Sequence, residues 1–358
     1  MRQKLPDFPW DALAPYGAIA KKHPQGAIDL SVGTPVDPTP EFIQKAFQEA
    51  ANSPSYPVTV GTPELREAIT AWAKKYLGAT GDFGVLPLIG SKEFVAWLPT
   101  FIEAQSVLYP DVAYPTYLVG SLLAEADATP VSLDASQWPQ ADMAWVNSPS
   151  NPTGRVHSEA EFKAAIDWSR KNKSVVVSDE CYLEFGDSVK PTSILNYTGG
   201  DNTNILAVHS LSKRSSMAGY RAAFIVGDPA LIARILEVRK HAGMMVPLPV
   251  QVAMVAALSD EEHVVQQRAR YNARRATLTP ALRAAGFTIE NSEAGLYIWA
   301  TRNENCWDSV SWLAELGIIA TPGVFYGDLG ASHIRIAMTA TDAQISEAAA
   351  RISSKVGA

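Results

Sequence analysis

Residues 62–78, TPELREAITAWAKKYLG, repeat apolar side chains at intervals of three and four: Leu65, Ile69, Trp72, Ala73 and Tyr76. That spacing predicts one helix with a single buried face. Thr62 suits the N-cap, Pro63 the first turn and Gly78 the stop. Through the middle of the chain the pattern changes. VLPLIG (85–90), SVLYP (106–110), MAWVNSP (143–149), SVVVSDE (174–180), NILAVHS (204–210) and AAFIVG (222–227) are apolar on successive rather than alternate positions. Turn residues bound most of these runs, and helix-like stretches such as 158–172 separate them. Continuous apolar strands with helices between predict a largely parallel sheet covered on both faces.

After this region the rhythm changes again. Asp260 to Gly286 reads as one long, charged helix. FTIENSE and GLYIWA read as strands, 307–316 as a helix, HIRIAM as a strand, and a last helix starts at Thr341. The expected architecture is α/β, with a large unit over 36–262 and a smaller α+β unit built from 1–35 and 263–358.

A chain of 358 residues accommodates two such units. Its composition, 47% hydrophobic and 19% charged, is that of an ordinary globular protein. A formal charge of −7 argues against general affinity for nucleic acid or an anionic membrane. Cys181 and Cys306 are the only cysteines, too few for a disulfide framework or a CxxC metal site. The N-terminus has no apolar signal region, and the longest apolar stretch, Met244 to Leu258, holds two prolines and Gln251. The expected location is the cytoplasm. No GxGxxG follows the first strand, so the nicotinamide reading of a doubly wound chain lacks its motif.

Candidate chemistry gathers where strands end, the place where open α/β sheets bind ligands. Asn151-Pro152-Thr153-Gly154 follows one strand; on its own it fits a plain turn before a helix equally well. Asp179 and Glu180 end another, either as helix caps or as a buried anion that holds a cation. In VHSLSKRSSMAGYR (208–221), Lys213 follows a third strand. A lysine there is ordinarily a surface cation. Here Ser210 and Ser212 flank it and Arg221 comes eight residues later, a set suited to a phosphate. A partly desolvated lysine amine is also a nucleophile toward carbonyls. Phosphate plus a carbonyl-binding lysine points to pyridoxal 5′-phosphate.

Taken together, NPTG, then D-x-x-Y, then S-x-S-K with its arginine resemble the fold-type I, class I/II aminotransferases. The resemblance runs from LSVGTP (30–35) through YPVTVGTPELREAI (56–69) to HIRIAM (333–338). It implies a pyridoxal-phosphate transferase fold whose large domain carries a mostly parallel seven-stranded sheet. It implies that Lys213 carries the cofactor and moves the substrate proton, while Asp179 pairs with the ring nitrogen. Tyr182 and Asn151 would hydrogen-bond the phenolic oxygen, and Tyr114 would stack on the ring. Ser210, Ser212, Arg221, Gly90 and Ser91 would hold the phosphate, and Tyr56 would reach the phosphate of a neighbouring subunit in a homodimer. Arg335 would clamp the substrate carboxylate, with Gly33 letting the backbone approach it.

Within the family the chain looks like the actinobacterial N-succinyldiaminopimelate aminotransferases, on phrases such as FPWDALAP, DLSVGTPVDP, VRKHAGMMVP and AGLYIWATR. That likeness implies exchange of an amino group between N-succinyl-LL-2,6-diaminopimelate and 2-oxoglutarate in lysine biosynthesis. Lys92, Arg239, Lys240 and His241 are candidates for the substrate's far end, and each is also a plausible surface residue. Aspartate, alanine or aromatic aminotransferases and a pyridoxal-phosphate β-lyase are the competing readings. A non-catalytic protein on the same fold is disfavoured by the presence of nucleophile, ring anchor and carboxylate clamp together.

Overall fold

The computed structural model describes residues 5–356. The first four residues of the expected small unit and the last two lie outside that range. Among the described residues thirteen strands run in chain order: β1 Ile28–Asp29, β2 Gly84–Ile89, β3 Ser106–Pro110, β4 Asp127–Val131, β5 Met143–Asn147, β6 Val175–Asp179, β7 Ile205–Ser210, β8 Ala222–Gly227, β9 Thr288–Glu290, β10 Tyr297–Thr301, β11 Ile318–Ile319, β12 Thr321–Pro322 and β13 His333–Ala337. Seven of them form the main sheet in the order β2-β8-β7-β6-β5-β3-β4. The pairs from β7 to β4 are parallel, whereas β8 runs antiparallel to both β7 and β2.

The uninterrupted apolar runs have the physical cause expected of them: both faces of the sheet are covered. Along β7, Ile205 and Ala207 join one core while Leu206 and Val208 join the other. A third core gathers β10, β13 and the long helix Glu262–Ala284, and it takes in Leu13, Ile28 and Leu30 from the N-terminal segment. There β12, β13, β10 and β9 form a four-stranded antiparallel sheet, and β1 pairs with β11.

The helix expected over 62–78 begins as read, with Thr62 Oγ1 accepting from the Leu65 amide at 3.2 Å. It widens into a π turn over Ala73–Leu77 before Gly78, at φ 64°, ends it, so Tyr76 is only half-buried. No helix among the described residues is long and apolar enough to cross a membrane.

The topology brings the candidate chemistry to one edge. β5, β6 and β7 are parallel and end at Asn147, Asp179 and Ser210. Because β8 is antiparallel, its first residue, Ala222, pairs beside Ile89 at the end of β2. Gly90 and Arg221 therefore meet at the edge where Lys213 emerges.

Candidate active site

Lys213 sits in a four-residue helical turn, Leu211–Arg214, capped by Ser210, whose Oγ accepts from the Ser212 amide at 3.2 Å. The turn is held from behind. Arg214 is ion-paired to Glu184 and donates to the Ala257 carbonyl at 3.2 Å, and Ser215 Oγ lies 2.8 Å from His263 Nε2. The Lys213 ammonium itself has no hydrogen-bond or ion-pair partner among the described residues, and it lines a cavity of ≈ 600 Å³.

Asp179 closes the cavity floor. Its carboxylate accepts from the Tyr117 hydroxyl at 2.9 Å and from the Cys181 amide at 3.2 Å. Burial holds its pKa above the usual carboxylate range. A buried carboxylate with neutral donors but no cation in contact is short of positive charge, which a protonated pyridine nitrogen would supply. Asn147 braces this corner: its side chain donates to the Asp179 carbonyl at 2.9 Å and accepts from the Asn151 amide at 2.7 Å.

Tyr114 and Tyr182 stand on the cavity wall. Burial pushes the Tyr114 hydroxyl up to about 12 and the Tyr182 hydroxyl well above its ordinary value, so both are protonated donors at neutral pH. Ser91, Ser210, Ser212 and Arg221 line the same space, beside the N-terminus of the helix Ser91–Phe101, where backbone amides favour anions. Gly90 is required by its surroundings. Its backbone has φ 78°, and a Cβ there would stand 2.8 Å from Arg221 Cζ and closer still to the nearer nitrogen. A phosphate fits this cradle.

Arg335 is 2% exposed and preset. It donates to Asn151 Oδ1 at 2.8 Å and to the Ser31 carbonyl at 2.5 Å, and its guanidinium lies 4.0 Å from the Tyr297 ring centre. Its Nε has no hydrogen-bond partner. Lys213, Asp179, Ser91, Ser210, Ser212, Arg221 and Arg335 thus face one volume.

Residues 25–352 match the family described as aminotransferase class I and II. The chain belongs to that family. Its cofactor is pyridoxal 5′-phosphate and its reaction class is transamination of small amino and 2-oxo acids. Over 98% of its length it is 50% identical to the 4-dedimethylamino-4-oxo-anhydrotetracycline transaminase of Streptomyces rimosus, 99% of which is covered. It is 35% identical to an LL-diaminopimelate aminotransferase of Dehalococcoides mccartyi, with 93% of each chain covered. A solved structure described as a probable N-succinyldiaminopimelate aminotransferase, from Thermus thermophilus, superposes with a TM-score of 0.87 at 26% identity, covering 97% of this chain and all of that one (100%).

Tyr56, expected to serve a neighbouring subunit, is 92% exposed on this chain and does not line its cavity. Of the cations considered for the far end of the substrate, only Lys92 lines the cavity. Arg239 is fully buried and held by both oxygens of Glu93 at 3.0 and 3.1 Å, while Lys240 pairs with Glu237. Neither they nor His241 reach the site. Gly33 lines the cavity, and a Cβ there would stand 2.9 Å from Tyr297 Cζ, so the glycine makes room for that phenol. Sequence reasoning assigned no role to Tyr117, Asn147, Cys181 or Tyr297, or to the Phe8-Pro9-Trp10 lip, all of which border the cavity. Asn147 alone carried a usable signal, four residues before Asn151 in the same turn.

Proposed function

We propose that this enzyme exchanges an amino group between glutamate and an amino acid whose side chain ends in a carboxylate, N-succinyl-LL-2,6-diaminopimelate being the intended one. The supporting observation is the cavity's charge layout. Buried Arg335 and exposed Lys92, the latter with its ammonium 5.6 Å from the Phe8 ring centre, line the same cavity together with apolar Val32, Val95 and Val119. A substrate with a carboxylate at each end and a methylene run next to the reacting carbon suits that combination of two cations and apolar side chains.

In this reading, Arg335 binds the α-carboxylate and Asn151 fixes the arginine fork. Lys213 moves the proton at the α-carbon, and its turn is held so that the amine can swing without displacing the strand behind it. Asp179 keeps the cofactor ring cationic, and the bound cofactor then serves as the electron sink for the bond-breaking step. Tyr182 and Asn151 address the phenolic oxygen and Tyr114 covers the ring. Gly90, Ser91, Ser210, Ser212 and Arg221 hold the phosphate. Tyr56, too exposed to serve its own site, completes the site of a partner in a homodimer working in the cytoplasm. The chain divides into 36–262 and 1–35 with 263–358, the substrate lying between the two parts.

A second reading has its own support. The aromatic lip and the 50% identity to a transaminase of a fused-ring ketone favour a bulky ring substrate. Turnover of N-succinyldiaminopimelate, aspartate, alanine, phenylalanine and a fused-ring amine, each with 2-oxoglutarate, separates the readings. Lys92→Met should raise KM for the succinylated substrate about tenfold or more, the worth of a charge-assisted contact, and leave a ring substrate unaffected. Fast aspartate turnover with an inert succinylated substrate refutes the first assignment. Release of pyruvate and ammonia in place of keto-acid exchange identifies a lyase. Full turnover by Lys213→Ala refutes the mechanism.

A further inference from the structure

Tyr297 touches both Tyr182 and Arg335 and has no assigned job. It is 3% exposed, in β10, where Trp299 is the residue directly opposite Arg335 on β13. Tyr297 is therefore the diagonal neighbour of Arg335 on the same face of the sheet, close enough for a long side chain to reach. The guanidinium indeed lies 4.0 Å from its ring centre. At the other end of the ring, the Tyr297 hydroxyl is 3.1 Å from the Tyr182 hydroxyl. Gly33 leaves the space that this hydroxyl fills.

A phenol has one proton to donate. For Tyr182 to aim its proton at the cofactor's phenolic oxygen, it must accept from Tyr297 and not donate to it. The geometry favours that direction, because a cation over the Tyr297 face polarises the ring and strengthens its hydroxyl as a donor. We infer that Tyr297 is a positioning residue: its hydroxyl turns the Tyr182 proton toward the cofactor while its ring seats Arg335. One side chain then sets both the cofactor contact and the carboxylate clamp. This rests on the roles proposed above for Tyr182 and Arg335.

The test uses the holoenzyme and reads the pH midpoint of the bound cofactor's absorption band. Hydrogen-bond donation to the phenolic oxygen favours the deprotonated form of the chromophore, so losing the aimed donor moves the midpoint up. Tyr297→Phe should raise it by about half to one pH unit and lower kcat/KM for glutamate roughly two- to tenfold, the range of one hydrogen bond. Tyr182→Phe should shift the midpoint the same way, and the double variant should match Tyr182→Phe alone. Gly33→Ala, which displaces the hydroxyl without deleting it, should shift the midpoint in the same direction and provides the test if Tyr297→Phe fails to fold. An unmoved midpoint in a folded Tyr297→Phe, or additive shifts in the double variant, overturns the inference while leaving the site as proposed. An unmoved midpoint in Tyr182→Phe removes the proposed role of Tyr182 and the inference with it.

Discussion

Replacing Gly90 by alanine should damage the protein in two separable ways. The first is in the backbone. Gly90 has φ 78° and ψ 149°, a conformation that residues with a Cβ rarely adopt. Holding alanine there costs about 1–3 kcal/mol, which lowers the melting temperature of the cofactor-free protein by a few degrees. The second is at the phosphate cradle. The new methyl would occupy the place of the Arg221 guanidinium, whose Cζ is 2.8 Å from the ideal Cβ position. Arg221 is an exposed residue and can swing away at the cost of one exposed hydrogen bond to the Ala218 carbonyl, so this displacement costs affinity more than stability. A charge-assisted hydrogen bond is worth about 1.5–3 kcal/mol, so the Kd for pyridoxal phosphate should rise roughly ten- to hundredfold. Titrating the cofactor-free protein by absorbance measures that Kd, and thermal melts measure the first effect. In an Arg221→Ala background, Gly90→Ala should still lower the melting temperature but weaken cofactor binding little further. If Gly90→Ala binds the cofactor as tightly as the parent, the cradle described here is wrong.

Asp179→Asn tests the uncompensated charge. Burial raises the folded-state pKa of Asp179 above its ordinary 3.8, so in the cofactor-free protein its contribution to stability is full below that value and is lost as pH rises through the folded pKa. Cofactor-free Asp179→Asn should therefore melt higher than the parent at pH 7, by about 1–3 kcal/mol of stability, lose that advantage on acidification, and bind cofactor poorly. A variant that is less stable at pH 7 contradicts this account. Arg274 shows the opposite sign: it holds Asp37 with two bonds of 2.7 and 2.9 Å and Asp342 with one of 2.6 Å. Burial alone would raise the Asp37 pKa, but its bonds to Arg274 and Gln267 outweigh that and hold it below 3.8. Arg274→Met should cost about 3–5 kcal/mol in denaturant unfolding near neutral pH. The difference should shrink as pH falls below 3.8 and Asp37 protonates in the parent; a constant difference would show that the pairing is not its source.

What could be read in advance was what burial writes into a string of residues. β5, β6 and β7 are covered on both faces and appear as apolar runs, whereas β4, at the sheet edge, buries only Val131 of its five residues and carries Pro130. Nothing in DATPV alternates or clusters enough to mark a strand. The long helix was legible although Pro280 interrupts it, because the rest of Glu262–Ala284 favours helix. Lys213, Asp179 and Arg335 stood out because each is a charge set against an apolar strand. Tyr117 and Tyr297 are aromatic residues where aromatic residues belong, and only three-dimensional proximity shows what their hydroxyls meet. Arg239, read as either a contact for the substrate's far end or a surface residue, is neither: it is buried on Glu93, 146 positions away, a pairing no local pattern shows.

The single reversed strand has a consequence for retention. Lys213 and Arg221 both lie in the short connection between β7 and β8, so the proposed cofactor tether and phosphate grip share one segment of chain. Arg335, the proposed carboxylate clamp, belongs to the other sheet and has no hydrogen bond to that connection; it donates instead to Asn151, just after β5, and to the Ser31 carbonyl. In the proposed site, a shift of Arg335 with its own sheet would release a substrate carboxylate without moving the connection that holds the cofactor. Product release and cofactor retention would then be served by different parts of the fold.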